Sequence, residues 1–144
     1  MPASTRKKAS KPAKKTVTLQ QKTLVSATPD EVYDAFVDPK KHAAFTGAKA
    51  TGTAKVGGHF TAWDDYISGT YVELEQGKKL VMEWQTVSWT EGYGPSNLLL
   101  TFKKHGSGTE LSMVHSKVPP IPAKGFRTGW KKSYWDLLQA YFGK

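Results

Sequence analysis

The stretch GFRTGWKKSYWDLLQAYFG, residues 125–143, decides how this chain folds. At about 100° per residue, Phe126, Trp130, Tyr134, Leu137, Leu138 and Tyr141 fall within about 120° of one another, an apolar stripe wide enough to lay a helix on a sheet. Burying those side chains at roughly 1.5–3 kcal/mol each makes the segment a main source of stability. Trp135 and Phe142 fall outside the arc, so they either pack on other elements or face a partner.

Upstream, residues 48–117 read as the sheet that such a helix covers. GGHFTAW, ISGTYVELE, KLVMEWQTV, NLLLTFKK and TELSMVHSK are strand-like runs separated by Asp64-Asp65, Gln76-Gly77, the Gly92–Pro95 stretch and Gly106-Ser107-Gly108. This spacing predicts an antiparallel meander. Alternation puts Leu80, Met82 and Trp84 on one face, with Leu98, Leu100 and Phe102, then Leu111, Met113 and His115, sharing a face in their own strands. The other face is mixed, so one side alone is covered. Before the meander, Thr16 to Val25 alternates and reads as a strand. Thr28, Pro29 and Glu31 then form a helix start with a capping box. PKKHAAFTG adds a second short helical turn ending at Gly47. The expected fold is α+β: one strand, two short helices, a curved antiparallel sheet of about six to seven strands in all, and a long C-terminal helix gripped by it.

Composition sets the outer limits. The chain has 144 residues, 38% of them hydrophobic, which suits one domain, expected over 16–144. The 21 Lys+Arg against 12 Asp+Glu give a formal charge of +9. Arg6, Lys7, Lys8, Lys11, Lys14 and Lys15 lie in residues 1–15 with no acid among them, leaving the rest mildly basic. That segment reads as a disordered, solubilising tail with nothing to bury. A nucleic-acid arm is the weaker reading, because no aromatic interleaves the lysines to stack on bases. With no cysteine, disulfide frameworks, Cys-zinc sites and thiol nucleophiles are excluded. No apolar run is long enough to span a bilayer, and no apolar stretch follows the N-terminal charges, so a cytoplasmic protein is expected.

Catalytic chemistry is not advertised. His42, His59, His105 and His115 show no ligand spacing, so neither a metal nor a cofactor is expected. Gly57-Gly58 precedes a strand instead of opening a helix, which makes it a turn and not a phosphate loop. Asp64-Asp65 is turn chemistry, and no Ser-His-Asp set can be assembled. What does stand out is aromatic and sulfur surface on the inner face: Phe60, Trp84, Phe102, Met113, Trp130 and Tyr134, with His115 among them. Most of it is core, and part can line a hollow for an apolar ligand. Trp89 and Tyr93, in the loop SWTEGYG, are better placed for recognition than for a core.

Several motifs in order then resemble a known family. They are Ala44-Phe45-Thr46, Val56-Gly57-Gly58 with Phe60, Gly69 with Glu73-Leu74, Lys79 with Trp84, Ser88-Trp89 with Glu91-Gly92, Val118-Pro119, and Gly129-Trp130 with Tyr134-Trp135 and Phe142-Gly143. Over roughly 20–143 the chain resembles the C-terminal domain of the activator of heat-shock protein 90 ATPase, in the START-like, helix-grip superfamily. Its size is similar to that of stand-alone bacterial members. The resemblance implies a non-enzymatic domain that binds a heat-shock protein 90 chaperone, through Trp89, Tyr93, Lys131, Lys132 and Trp135. The alternative it implies is a lipid-, sterol- or polyketide-like molecule held between sheet and helix.

Overall fold

A computed structural model describes residues 15–143. The tail expected over 1–15 lies outside the described residues except for Lys15. The chain runs β1 (Val17–Val25), α1 (Pro29–Val37), α2 (Pro39–Thr46), β2 (Thr51–Gly52), β3 (His59–Ala62), β4 (Ile67–Glu75), β5 (Lys79–Thr86), β6 (Ser96–His105) and β7 (Gly108–Val118). It closes with α3 (Pro120–Trp130), a π-helical turn (Lys131–Trp135) and α4 (Asp136–Phe142). The strands form one seven-stranded antiparallel sheet in the order β1-β7-β6-β5-β4-β3-β2. Irregular register at Tyr71/Glu73 in β4 and at Val17/Leu19 in β1 bends it. This is the α+β helix-grip architecture. Among the described residues, no helix is long and apolar enough to cross a membrane.

Local chemistry explains most of the elements. Thr28 Oγ1 accepts from Glu31 N at 3.2 Å while Glu31 Oε1 accepts from Thr28 N at 2.9 Å, a complete capping box for α1. Asp38 caps α2 through Lys40 N, so the expected single turn becomes a full eight-residue helix. The alternation in β5, β6 and β7 holds residue by residue: Leu80, Met82, Trp84, Leu98, Leu100, Phe102, Leu111, Met113 and His115 are all buried. Gly69 faces Trp84 in register, where a Cβ would strike the Glu83 carbonyl oxygen and the Phe60 ring. Its missing side chain lets Phe60 lie across the strand and pack on Tyr71, with ring centroids 5.0 Å apart.

The terminal helix departs from the expected arc. Asp136 N–H bonds back to the Lys131 carbonyl, five residues away, so the helix takes in one extra residue at Lys131–Trp135. Every later side chain is thereby rotated back by about one residue, roughly 100°. Tyr134 and Trp135 both point inward across the insertion, and Leu138 and Phe142 follow onto the buried side. Tyr141, placed in the arc by uniform α-helical spacing, is 45% exposed instead. Trp135, expected as an exposed partner contact, is only 6% exposed.

The two halves of that shift can be read by urea denaturation. Leu138→Ala is expected to cost about 2–5 kcal/mol, the range for truncation in a filled core. Tyr141→Ser should stay within about 0.5 kcal/mol. A uniform α-helix would make the Tyr141 change costly.

Candidate functional site: an aromatic cleft beside a pinned helix

Three aromatic residues around the π-turn each carry a polar atom into the interior, and each finds a partner on a different element. Trp130 Nε1 donates to His115 Nδ1 at 3.1 Å. His115 Nε2 lies 2.7 Å from Ser96 Oγ, whose own proton goes to the Trp84 carbonyl at 2.8 Å. The Ser96 hydroxyl is thus already spent as a donor, so His115 donates from Nε2 and accepts at Nδ1: a neutral ring in one tautomer, assigned from its partners. Burial lowers the His115 pKa to about 3.

His42 takes the opposite tautomer. Its Nδ1 donates to the Phe36 carbonyl at 3.2 Å, leaving Nε2 to accept from the Tyr134 hydroxyl at 2.9 Å. Burial lowers this histidine as well, partly opposed by the bond to Phe36. The same burial holds the Tyr134 hydroxyl far above the usual phenol range. The Trp63 indole lies near enough to Tyr134 to pull the other way. It falls short of hydrogen-bond geometry, however, and Trp63 Nε1 is a buried polar atom without a partner. The third pin is Trp135 Nε1 on Gln21 Oε1 at 2.6 Å, with Gln21 Nε2 bonding onward to the Arg127 carbonyl.

Beside this pinned face opens a cleft of about 350 Å³. One wall is the helix flank: Phe126, Gly129, Trp130, Ser133 and Tyr134. The other is Trp84 and Thr86 of β5 together with Trp63, Tyr66 and Ile67 from the β3–β4 connection. That connection is strained. Trp63, Asp64 and Asp65 have φ of 52°, 56° and 70°, three successive side-chain-bearing residues in the left-handed region. Such a conformation costs roughly 1–2 kcal/mol per residue. The turn is held by Lys49 N donating to Asp64 Oδ1 and Asp64 N donating to the Lys49 carbonyl, both at 3.1 Å. On the helix side, Gly129 sits mid-helix, where glycine costs about 1 kcal/mol relative to alanine. A Cβ there would meet nothing within 4 Å.

Of the residues expected to line a cavity, Trp84, Trp130 and Tyr134 come together at the cleft. Phe60 borders a separate hollow of about 20 Å³ under the helix, near the size of one water, and an open groove shared with His59, Gly69 and Gln85. Phe102 packs edge-on to Tyr33 and Phe36, and Met113 is enclosed in the core. His115 is a satisfied interior residue that reaches the site through Trp130. Trp89 is half-buried: its Nε1 donates to the Gly94 carbonyl, and its ring stacks at 6.3 Å on Phe126, backing the cleft wall. Tyr93 donates its hydroxyl to the Lys15 carbonyl at 2.9 Å. Lys131 and Lys132 are exposed, with Lys131 paired to Asp136 at 3.1 Å. Sequence reasoning missed Trp63, Tyr66 and Ile67 because Asp64-Asp65 marks a turn without saying which way it throws its neighbours.

With this geometry in place, comparison with known proteins is decisive about kinship. The family model described as Activator of Hsp90 ATPase homolog 1-like protein matches residues 26–143, a range holding every cleft residue. The chain belongs to that family. The human activator of 90 kDa heat shock protein ATPase homolog 1 is 35% identical over 127 residues, covering 88% of this chain. The chain spans 37% of that relative's length. Among solved structures, an HSP90 activator from Plasmodium falciparum superposes with a TM-score of 0.80 at 21% identity, over 88% of this chain and 96% of that one. A protein of Chromobacterium violaceum matches with a TM-score of 0.70 at 26% identity, over 89% and 99%. At such identities the structural likenesses speak for the fold.

The neutral histidine pins make stability fall with acid. Both rings are uncharged in the fold, while in the unfolded chain they take a proton near pH 6.5. Their contribution is therefore complete above about pH 6.5 and is lost as pH drops, through to about pH 3 for His115. Denaturant titrations between pH 7 and 4.5 should show His115 alone contributing a slope approaching about 1.4 kcal/mol per pH unit in the acid limb. His115→Gln, less stable at neutral pH, should show a visibly shallower limb. An unchanged slope would contradict a neutral, buried His115.

Proposed function

We propose that this domain works by contact with a heat-shock protein 90 chaperone and modulates its ATPase, without chemistry of its own. The observation that carries the reading is the 35% identity to the human activator, spread over 127 residues and not confined to one motif. Because the chain corresponds to 37% of that relative, the share of the activity borne by this domain is part of the proposal.

The contact face follows from exposure. Trp135, turned inward by the π-turn, is withdrawn from it. Lys131 and Lys132 remain on the solvent side of the helix, and the 88–95 loop lies against Phe126 through Trp89. Exposed lysines suit an acidic partner surface, speeding association and making it salt-dependent.

The test is titration of the heat-shock protein 90 from the same organism, reading complex formation by calorimetry and ATPase rate in parallel. A complex at low micromolar concentration with a changed ATPase rate is expected. Lys131→Glu combined with Lys132→Glu should weaken it about tenfold at low salt and less at high salt. Absence of binding at tens of micromolar would overturn the reading.

A further inference from the structure

The outer face of the sheet is unevenly charged. On β4 and β5 the outward side chains include Glu73, Glu75 and Glu83 against a single cation, Lys79, which is already bonded to Glu73 at 2.8 Å. Glu83 and, in the loop after β5, Glu91 have no ion-pair partner among the described residues. We infer that residues 1–14 fold back as a strap over this face and dock, by charge, in the groove that runs along β4. Such a strap is independent of the chaperone reading and goes beyond it.

Side-chain size makes the groove. Ser68 and Thr70 of β4 are short, and in matching register they lie between His59 and Thr61 of β3 on one side and Glu83 and Gln85 of β5 on the other. The resulting trough, about 410 Å³, is open and bordered by Pro95. Two residues before Pro95, the Tyr93 hydroxyl donates to the Lys15 carbonyl at 2.9 Å, so residues 1–14 join the domain beside the loop that borders the groove. They hold Arg6, Lys7, Lys8, Lys11 and Lys14 and no acid. Length is sufficient: a segment of that size reaches about 45 Å when extended, while β1 and β4 lie four strand spacings apart, roughly 19 Å. A tethered segment meets its site at an effective concentration on the order of millimolar, so a few weak contacts suffice. Because the pairs are exposed, docking belongs to low ionic strength. Docked, the strap covers the acidic part of the sheet and withholds its own cations from other anionic surfaces.

The chain has no cysteine, so Ser4→Cys gives a single attachment point for a nitroxide beyond the cations and removes no charge. Backbone amide signals of the full chain are recorded by heteronuclear NMR with the nitroxide oxidised and then reduced. At about 20 mM salt the amides of Thr70, Glu83 and Gln85 should lose about half their intensity or more. They should recover at about 0.5 M salt, where screening acts within about 4 Å. Glu83→Gln combined with Glu91→Gln, both exposed positions, should cut the broadening about threefold. A mixture of spin-labelled chain with isotope-enriched, unmodified chain should show none of it, because the contact is within one molecule. The strap is overturned if broadening is absent, spread evenly over the surface, centred away from β4 and β5, unmoved by salt, or equally strong in the mixture. No chaperone is present in any of these measurements, so the two readings fail separately.

Discussion

The structure depends on burying three consecutive anchors of one helix, Trp130, Tyr134 and Trp135, without leaving their polar atoms unpaired. Large aromatic side chains carry much of the apolar area a small domain can bury, but an indole N–H or a phenol sealed from water without a partner forfeits a large part of that gain. Here each handle meets an acceptor on a different element: His115 of β7, His42 of α2, Gln21 of β1. Three bonds to three separate parts of the chain fix the helix in both rotation and translation. A straight α-helix through these anchors would also carry Tyr141 onto the buried side, whereas one extra residue turns Tyr141 outward and brings Phe142 in beside Leu138. The π-turn is the geometric solution.

The pins also determine what the interior histidines are. Each ring has one donor and one acceptor role, and each role is already taken. His115 must accept from Trp130 and donate to a serine that has given its proton to Trp84; His42 must donate to Phe36 and accept from Tyr134. Neither ring is left with a free lone pair for a metal or for a proton shuttled from outside. The two histidines best placed to be mistaken for a functional pair are better understood as joints.

Much of this was legible in the sequence, because most of it follows from periodicity and local capping. The alternation of Leu80, Met82 and Trp84 with Val81, Glu83 and Gln85 reports a one-sided sheet whatever packs on it, and Thr28-Pro29-Asp30-Glu31 encodes its cap within four residues. The π-turn was not legible. Nothing in Lys131–Trp135 differs from an ordinary helical pentapeptide, and the extra residue is selected by distant partners, Gln21 and His42 among them. Tyr141 was therefore misplaced, and Trp135 with it. The cleft was half legible for the same reason: its helix wall follows from the apolar stripe, whereas its other wall rests on three left-handed residues stabilised by contacts with Lys49. No glycine at 63–65 announces them.

This division has a consequence for how structure and function are distributed along the helix. The inner stripe is committed to the pins, so its side chains answer to folding. The cleft flank is mixed: Trp130 and Tyr134 are pins as well as lining, whereas Gly129 satisfies no packing demand and gives up helix stability, and the turn facing it stores strain. Stability alone would favour alanine at 129 and glycine within 63–65, the reverse of what the chain contains. The fold itself is shared at 21% identity, with a TM-score of 0.80 to the Plasmodium falciparum activator.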